Sequence, residues 1–205
     1  MRVLLVHGMG RTPLSLRGLA SDLCRAGHEP AIVGYAAWAE HFENIVRRVA
    51  ARLAVWEREA MPYAGIGHSL GGLVLRAALG SQPAQFARHV VLLGTPNQPS
   101  QLATRVGRHL WYRACNGTCG QHLADPNFFD RLPPLSVPCT IIAGTRSNRF
   151  SQRFFRNAPN DGIVAVAETA LPKARHVALP VGHTFMMNDV RVRAEIRAAL
   201  AAAAP

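Results

Sequence analysis

Tyr63-Ala64-Gly65-Ile66-Gly67-His68-Ser69-Leu70-Gly71-Gly72 is the stretch on which the reading of this chain turns. A short apolar run ends at Gly67, an amphipathic run from Leu70 to Leu79 follows at once, and Ser69 stands on the corner between them. The spacing Gly67-x-Ser69-x-Gly71 is that of a nucleophile elbow, a strand-to-helix turn so sharp that its central side chain stands clear of the sheet edge. Such a turn crowds the positions two before and two after the corner, so both must be small. It also holds the central residue at a strained, usually positive φ. A hydroxyl presented this way lies at a helix N-terminus, where backbone N–H groups and the helix dipole favour developing negative charge. The plainer alternative is a tight strand-to-helix turn in which Ser69 serves only as an N-cap.

Outward from this corner the chain alternates between two kinds of pattern. Residues 3–6 are a continuous apolar run, as expected of a strand covered on both faces in a parallel sheet. The run ends in His7-Gly8-Met9-Gly10. Thr12 is then placed to cap a helix with Pro13 as its first residue and Leu16, Leu19, Ala20 and Leu23 on one face, stopped by Gly27. Residues 30–35 read as a second strand. Between 40 and 60 the apolar side chains Phe42, Ile45, Val46, Val49, Leu53, Trp56 and Ala60 mark one face of a long helix. Residues 64–68 form the strand that feeds the corner, 70–79 the helix after it, and 89–93 a further strand closing in Gly94-Thr95-Pro96-Asn97. Strands are also expected at 138–144 and 175–179, with a short one at 164–166. A last helix, capped by Asn188 or Asp189, carries Val192, Ile196 and Leu200. Such alternation implies a mostly parallel sheet of about six strands with helices on both faces, and ligands bound beyond the C-terminal ends of the strands. Residues 98–135 break the alternation. They hold Leu102, Val106, Leu110, Trp111, Phe128 and Phe129 and leave the sheet where the corner emerges, so they are expected to form a cap or lid over the site.

Size and composition bound the answer. With 205 residues, 49% of them hydrophobic, the chain is expected to be a single domain over 1–205 with a full core. No apolar run approaches a membrane span, and the opening Met1-Arg2-Val3-Leu4-Leu5-Val6-His7 is too short for the apolar region of a signal peptide; the expectation is a cytoplasmic protein. The formal charge of +11 comes almost wholly from arginine, Lys173 being the one lysine, and the arginines are spread along the chain without a nucleic-acid-binding motif. With the many alanines this reads first as a compositional bias, guanidinium groups solvating helix faces; no nucleic acid is expected, and an anionic lipid surface is the alternative partner that the charge would suit. Of the four cysteines, Cys24 and Cys139 are expected to be buried small hydrophobes. Cys115 and Cys119 flank Asn116-Gly117-Thr118 and could close a small disulfide; with His109 and His122 their spacing matches no standard zinc pattern.

A serine hydroxyl needs an imidazole to take its proton and a carboxylate to orient that imidazole. Among nine histidines, His183 alone follows the last strand, in Leu179-Pro180-Val181-Gly182-His183, on a loop at the edge where Ser69 emerges. The acid should lie between serine and histidine in sequence, which leaves Asp125, Asp130, Asp161 and Glu168. Asp161 is favoured: it follows the strand ending at Gly144, Gly162 permits a turn beside it, and Ile163-Val164 anchors that turn. Two N–H donors are required for an oxyanion: that of Leu70, directly after the serine, and that of Met9, on the glycine-flanked loop after the first strand.

These segments, His7-Gly8-Met9-Gly10, Gly67-His68-Ser69-Leu70-Gly71-Gly72, Gly94-Thr95-Pro96, Asn160-Asp161-Gly162-Ile163-Val164 and Gly182-His183, occur in the order seen in α/β-hydrolases. The chain resembles the small bacterial lipases and esterases of that superfamily over nearly its whole length. The resemblance implies a minimal three-layer α/β-hydrolase fold, without the family's leading antiparallel strands. It implies Ser69 as nucleophile, His183 as base, Asp161 as acid, Met9 and Leu70 as oxyanion donors, and no cofactor or metal. The implied activity is hydrolysis of carboxylic esters, with a small-molecule ester or lipid as substrate. The same residues would suit a thioesterase or acyltransferase, and the same fold without catalysis would suit a module that binds an apolar ligand.

Overall fold

The computed structural model describes residues 1–107 and 117–203. Six strands, β1 (Arg2–Val6), β2 (Glu29–Val33), β3 (Tyr63–His68), β4 (Ala87–Leu93), β5 (Cys139–Gly144) and β6 (Arg175–Leu179), form one sheet in the order β2-β1-β3-β4-β5-β6. Every neighbouring pair is parallel. The period-two alternation within the strands divides the core in two. Leu4, Val6, Tyr63, Val90, Leu92 and Ile141 point to one face, while Val3, Leu5, Ala64, Ile66, Val91, Leu93 and Ile142 point to the other.

Each face is closed by the helices whose apolar stripes fit it. Helix α1 (Arg17–Arg25), led in by a 3-10 turn over Pro13–Leu16, covers the second face together with the last helix. Their contact residues are Leu16, Leu19 and Leu23 against Val192, Ile196 and Leu200. Helix α2 (Phe42–Arg58) and helix α3 (Leu70–Gly80) cover the first face through Phe42, Ile45, Val49, Leu53, Trp56, Leu73 and Val74. Full burial of each Leu, Val or Phe stabilises by roughly 1.5–3 kcal/mol, so these stripes hold the helices in place far more firmly than propensity does. The excursion over 98–135 packs into the same core as α2 and α3, through Ala103 of α4 (Gln101–Val106), Leu123, and Phe128 and Phe129 of α5 (Pro126–Arg131). The chain then passes through β5, the short helix α6 (Arg149–Phe154), β6 and finally α7 (Val190–Ala202).

Two local expectations are corrected. Cys24 is exposed rather than buried, because it falls on the outer side of α1 while Leu19 and Leu23 take the core side; Cys139 is only partly buried. Residues 164–166 make no strand: the chain forms a single antiparallel bridge, Asn160 to Ala165, and then a 3-10 turn over Val166–Thr169. Thr12 occupies the N-cap position but its side chain makes no capping bond. Cys119 is a buried free thiol, whereas Cys115, His109, Leu110, Trp111 and Asn116 lie outside the described residues. Among the described residues no helix is long and apolar enough to cross a membrane.

The strand register gathers the loops at one edge. Val6 lies level with Val33 and Gly67, Leu93 with His68 and Ile142, and Gly144 with Leu179. The residues that leave these strands, His7, Ser69, Gly94, Thr145 and Pro180, consequently start from the same side of the sheet.

Candidate active site

The corner at Ser69 is as tight as the glycine spacing requires. Ser69 has φ 53° and ψ −124°, and its N–H continues the sheet ladder by donating to Leu93 O at 2.8 Å. A Cβ at Gly67 would lie 2.4 Å from Gly72 Cα, and one at Gly71 would lie 2.3 Å from the carbonyl oxygens of Val6 and His7. No side chain fits either place without reshaping the backbone. Ser69 stands at the N-cap position of α3, yet its side chain makes no capping bond, which removes the plainer reading of it as a cap. Its hydroxyl has no hydrogen-bond partner among the described residues, and the residue is partly accessible. Among the described residues, no acceptor takes the N–H of Leu70 or that of Met9.

The loop carrying Met9 is held against the corner by two histidines. A Cβ at Gly8 would meet Ser69 Cβ at 3.1 Å and His68 Nδ1 at 2.8 Å, so the backbone passes as close to the serine as a glycine allows. His7 is buried and stacks on Tyr35, with centroids 4.2 Å apart. Tyr35 donates its hydroxyl to His7 O at 2.5 Å, and burial raises the phenol's pKa. Burial likewise lowers the pKa of His7. His68, beside the serine, is fully buried; its Nε2 donates to His183 O at 3.0 Å, and the two rings lie 4.9 Å apart. Burial, reinforced by the neighbouring His183, pushes the His68 pKa well below that of a free imidazole. In the sequence His7 and His68 read only as members of tight turns. Their place beside Gly8 and Ser69 is visible there, but nothing in the sequence gives their partners.

His183 and Asp161 meet at the same edge. His183 Nδ1 donates to Asp161 Oδ2 at 2.7 Å, with both side chains almost wholly buried. The other carboxylate oxygen accepts the N–H groups of Ile163 at 3.0 Å and Val164 at 2.8 Å, which fixes the plane of the group; His183 N–H donates in turn to Asp161 O at 3.0 Å. With Nδ1 committed as donor, the His183 ring leaves Nε2 as its acceptor, the arrangement a general base needs. A Cβ at Gly94 would lie 3.0 Å from His183 Nδ1 and 3.1 Å from Asp161 Oδ2, which places the pair over the end of β4, one strand from Ser69. Ser69 Oγ and His183 make no hydrogen bond in this structure; such contacts are commonly long before substrate binds.

The other carboxylates have different tasks. Asp125 caps α5 through Asn127 N–H at 3.0 Å. Glu168 is buried and accepts the N–H groups of Gln101 and Ala165 at 3.0 and 3.2 Å, its pKa raised by burial. Asp189 caps α7 and pairs with Arg191 at 2.8 Å. Among the described residues, no group of three or more His, Cys, Asp and Glu side chains is arranged to hold a metal ion. A cavity of about 480 Å³ opens beside the Asp161–His183 pair, walled by Arg146, Ile163, Gly182 and Phe185.

No protein-family model matches the sequence, and no curated protein does. Solved structures do match. The mature form of the lipase BlEst2 from Bacillus licheniformis superposes with a TM-score of 0.74 at 20% identity, over 91% of this chain and 86% of that one. The same enzyme's propeptide form is a longer chain, of which 47% is covered. A lipase-esterase related protein from Clostridium acetobutylicum gives 0.63 at 15% identity over 97% of this chain and 93% of its own. The metagenome-derived lipolytic enzymes LipS and LipT are represented by a match at 0.66 and 13% identity, over 98% and 93%. These likenesses, at 13–20% identity, show a shared fold, that of the α/β-hydrolases.

Proposed function

We propose that this protein is a serine hydrolase that cleaves carboxylic esters through an acyl-enzyme, with Ser69, His183 and Asp161 as its triad and the N–H groups of Met9 and Leu70 as its oxyanion hole. The observation that carries the reading is the buried 2.7 Å bond between His183 and Asp161, lying beside a serine held at positive φ whose hydroxyl has no hydrogen-bond partner among the described residues. A helix cap or a turn aspartate accounts for none of this combination.

In the proposed reaction Ser69 Oγ attacks the ester carbonyl carbon while its proton passes to His183 Nε2. The resulting tetrahedral oxyanion accepts from Met9 and Leu70, whose N–H groups have no acceptor to give up among the described residues. The ester C–O bond breaks, and Nε2 returns the proton to the departing alkoxide. A water molecule then attacks the acyl-enzyme, with the same nitrogen as base, and the acid is released. Asp161, held by its two backbone donors, orients the ring and stabilises the imidazolium. Residues 98–135, which leave the sheet just past Gly94, are the segment proposed to cap the site.

The test is a panel of p-nitrophenyl esters from acetyl to long acyl, with wild type and Ser69→Ala. Wild type should turn over at least part of the panel, and the variant should be folded and lose on the order of 10³-fold or more. Retained turnover in a folded Ser69→Ala protein would overturn the assignment. A thioester series run beside the oxyesters separates the thioesterase reading. Failure of Ser69 to take a fluorophosphonate label would instead favour a non-catalytic module.

A further inference from the structure

The stretch between β5 and Asp161, Thr145-Arg146-Ser147-Asn148-Arg149-Phe150-Ser151-Gln152-Arg153-Phe154-Phe155-Arg156-Asn157-Ala158-Pro159-Asn160, carries four arginines and no acidic residue. Its anchors point inward. Phe155 is buried, and Arg105 lies over the Phe154 ring at 4.5 Å while donating to Phe154 O. What remains points out: Arg146, Arg149, Arg153 and Arg156 are exposed, and among the described residues none of the four takes part in an ion pair or a side-chain hydrogen bond. Phe150, between two of them, is 83% exposed, more than any other large apolar residue described. Elsewhere among the described residues Arg25, Arg48, Arg175, Arg191 and Arg197 pair with carboxylates, while the exposed Arg17, Arg58 and Arg88 stand singly and without an ion pair. What sets the stretch between 146 and 156 apart is that four unpaired arginines cluster there around an exposed phenylalanine.

The basic stretch continues into an apolar one. Arg146 shares the walls of the cavity beside Asp161 and His183 with Ile163 and Phe185. Phe185 in turn shares a second hollow with Arg11 and Leu14, and Arg11 lies 4.9 Å over the Phe185 ring. Phe185 and Leu14 are 67% and 66% exposed. All of these groups belong to segments that leave the sheet at its C-terminal edge, the edge that carries Ser69.

We infer that this rim docks on an anionic phospholipid surface, the arginines meeting headgroup phosphates while Phe150, Phe185, Leu14 and Ile163 enter the acyl boundary. Unpaired guanidinium groups gain from a negatively charged surface, and exposed apolar side chains gain from leaving water. A bilayer rewards both at once. Nucleic acid suits the charges and the phenyl rings, but leucine and isoleucine side chains offer it neither stacking nor hydrogen bonds. The surface sits beside the site proposed above, so docking would bring lipid esters to it, though docking itself requires no turnover.

The experiment separates the two ideas. Binding is measured with Ser69→Ala protein on vesicles of phosphatidylcholine alone and of phosphatidylcholine with phosphatidylglycerol. The expected result is binding to the anionic vesicles only, weakened by salt. Each arginine replaced by glutamine in an Arg149→Gln, Arg153→Gln, Arg156→Gln protein should weaken it by about fivefold, on the order of 100-fold for the three together. Phe150→Ser should weaken binding at high salt, where the charges are screened. On a Ser69 background the triple variant should hydrolyse a short soluble ester like wild type, with an unchanged melting temperature. Equal binding to both vesicle types, unchanged binding by the triple variant, or tight binding to single-stranded RNA without binding to vesicles would each overturn the inference. Vesicle binding without ester hydrolysis would sustain it while removing the hydrolase reading.

Discussion

Ser69 bears a conformational cost that identifies it. An L-residue at φ 53°, ψ −124° is strained by roughly 1–3 kcal/mol, and only the surrounding glycines and ladder bonds hold it there. The strain belongs to the backbone and not to the hydroxyl, so Ser69→Ala should inactivate without stabilising. Ser69→Gly should relieve the strain and melt above Ser69→Ala, by about 1 kcal/mol in unfolding free energy, although glycine at an ordinary position costs stability. A glycine variant less stable than the alanine variant would mean that the corner is unstrained. Asp161 can be tested as sharply. In Asp161→Asn the backbone N–H groups of Ile163 and Val164 can still be accepted, but an amide NH₂ facing His183 favours the wrong tautomer of the ring. Turnover should fall on the order of 10³- to 10⁴-fold with little change in melting temperature; a fall below tenfold would remove Asp161 from the mechanism. The sharp corner at Ser69 and the pairing of Asp161 with His183 were legible in the sequence because glycine spacing and chain order constrain them. The partners of His68 were not, since a buried imidazole bonded to a carbonyl 115 positions away leaves no local pattern.

At the scale of elements, the close contact of β1, β3 and α3 is what gives the corner its shape. Gly71 lies in the first turn of α3 against the carbonyls that end β1, and a methyl there would sit 2.3 Å from two backbone oxygens, which no rotamer change can relieve. Gly71→Ala should therefore lower the melting temperature sharply, with a destabilisation of about 3 kcal/mol or more, and lose activity through displacement of Ser69. Wild-type stability in that variant would show that α3 can slide and that the elbow is not rigid. Strand and helix order were legible throughout because apolar periodicity is strong where both faces of a sheet are covered. The segment at 164–166 misled because Val164 and Ala165 are buried like strand residues. Their backbone is claimed elsewhere: Val164 N–H by Asp161, Ala165 N–H by Glu168. Glu168 also ties this loop to the root of the 98–135 excursion, its carbonyl accepting from Asn97 and Gln98 at 2.7 and 3.0 Å. In the sequence Glu168 stands only as one of the candidate acids, because its backbone partner at Gln101, 67 positions away, leaves no local pattern.

Taken whole, the molecule buries imidazoles that it must keep neutral, and this sets its response to acid. Burial lowers the pKa of His7 and His68, and partial desolvation lowers that of the half-buried His89 and the exposed His176, whereas in the unfolded chain each titrates at about 6.5. Their contribution is thus fully present above that value. As pH falls through it the unfolded chain takes up protons that the folded chain refuses, and stability declines until the lowered folded values are reached. The two buried groups, His7 and His68, each contribute up to about 1.4 kcal/mol per pH unit within their window, and the more solvent-screened His89 and His176 contribute less. Glu168 acts in the opposite sense: burial raises its pKa, so the folded state keeps a proton that the unfolded state has lost, and acidification stabilises through that interval. One carboxyl offsets only part of the effect of these imidazoles. The melting temperature should accordingly be flat from about pH 8 to 7 and fall steadily below about 6.5. His68→Gln keeps an N–H donor for His183 O but removes the fully buried imidazole, and it should reduce the acid slope by close to one proton. A melting temperature independent of pH across this range, or an unchanged slope in His68→Gln, would mean that water or a proton reaches His68 without unfolding, and that the floor of the site is more open than its packing implies.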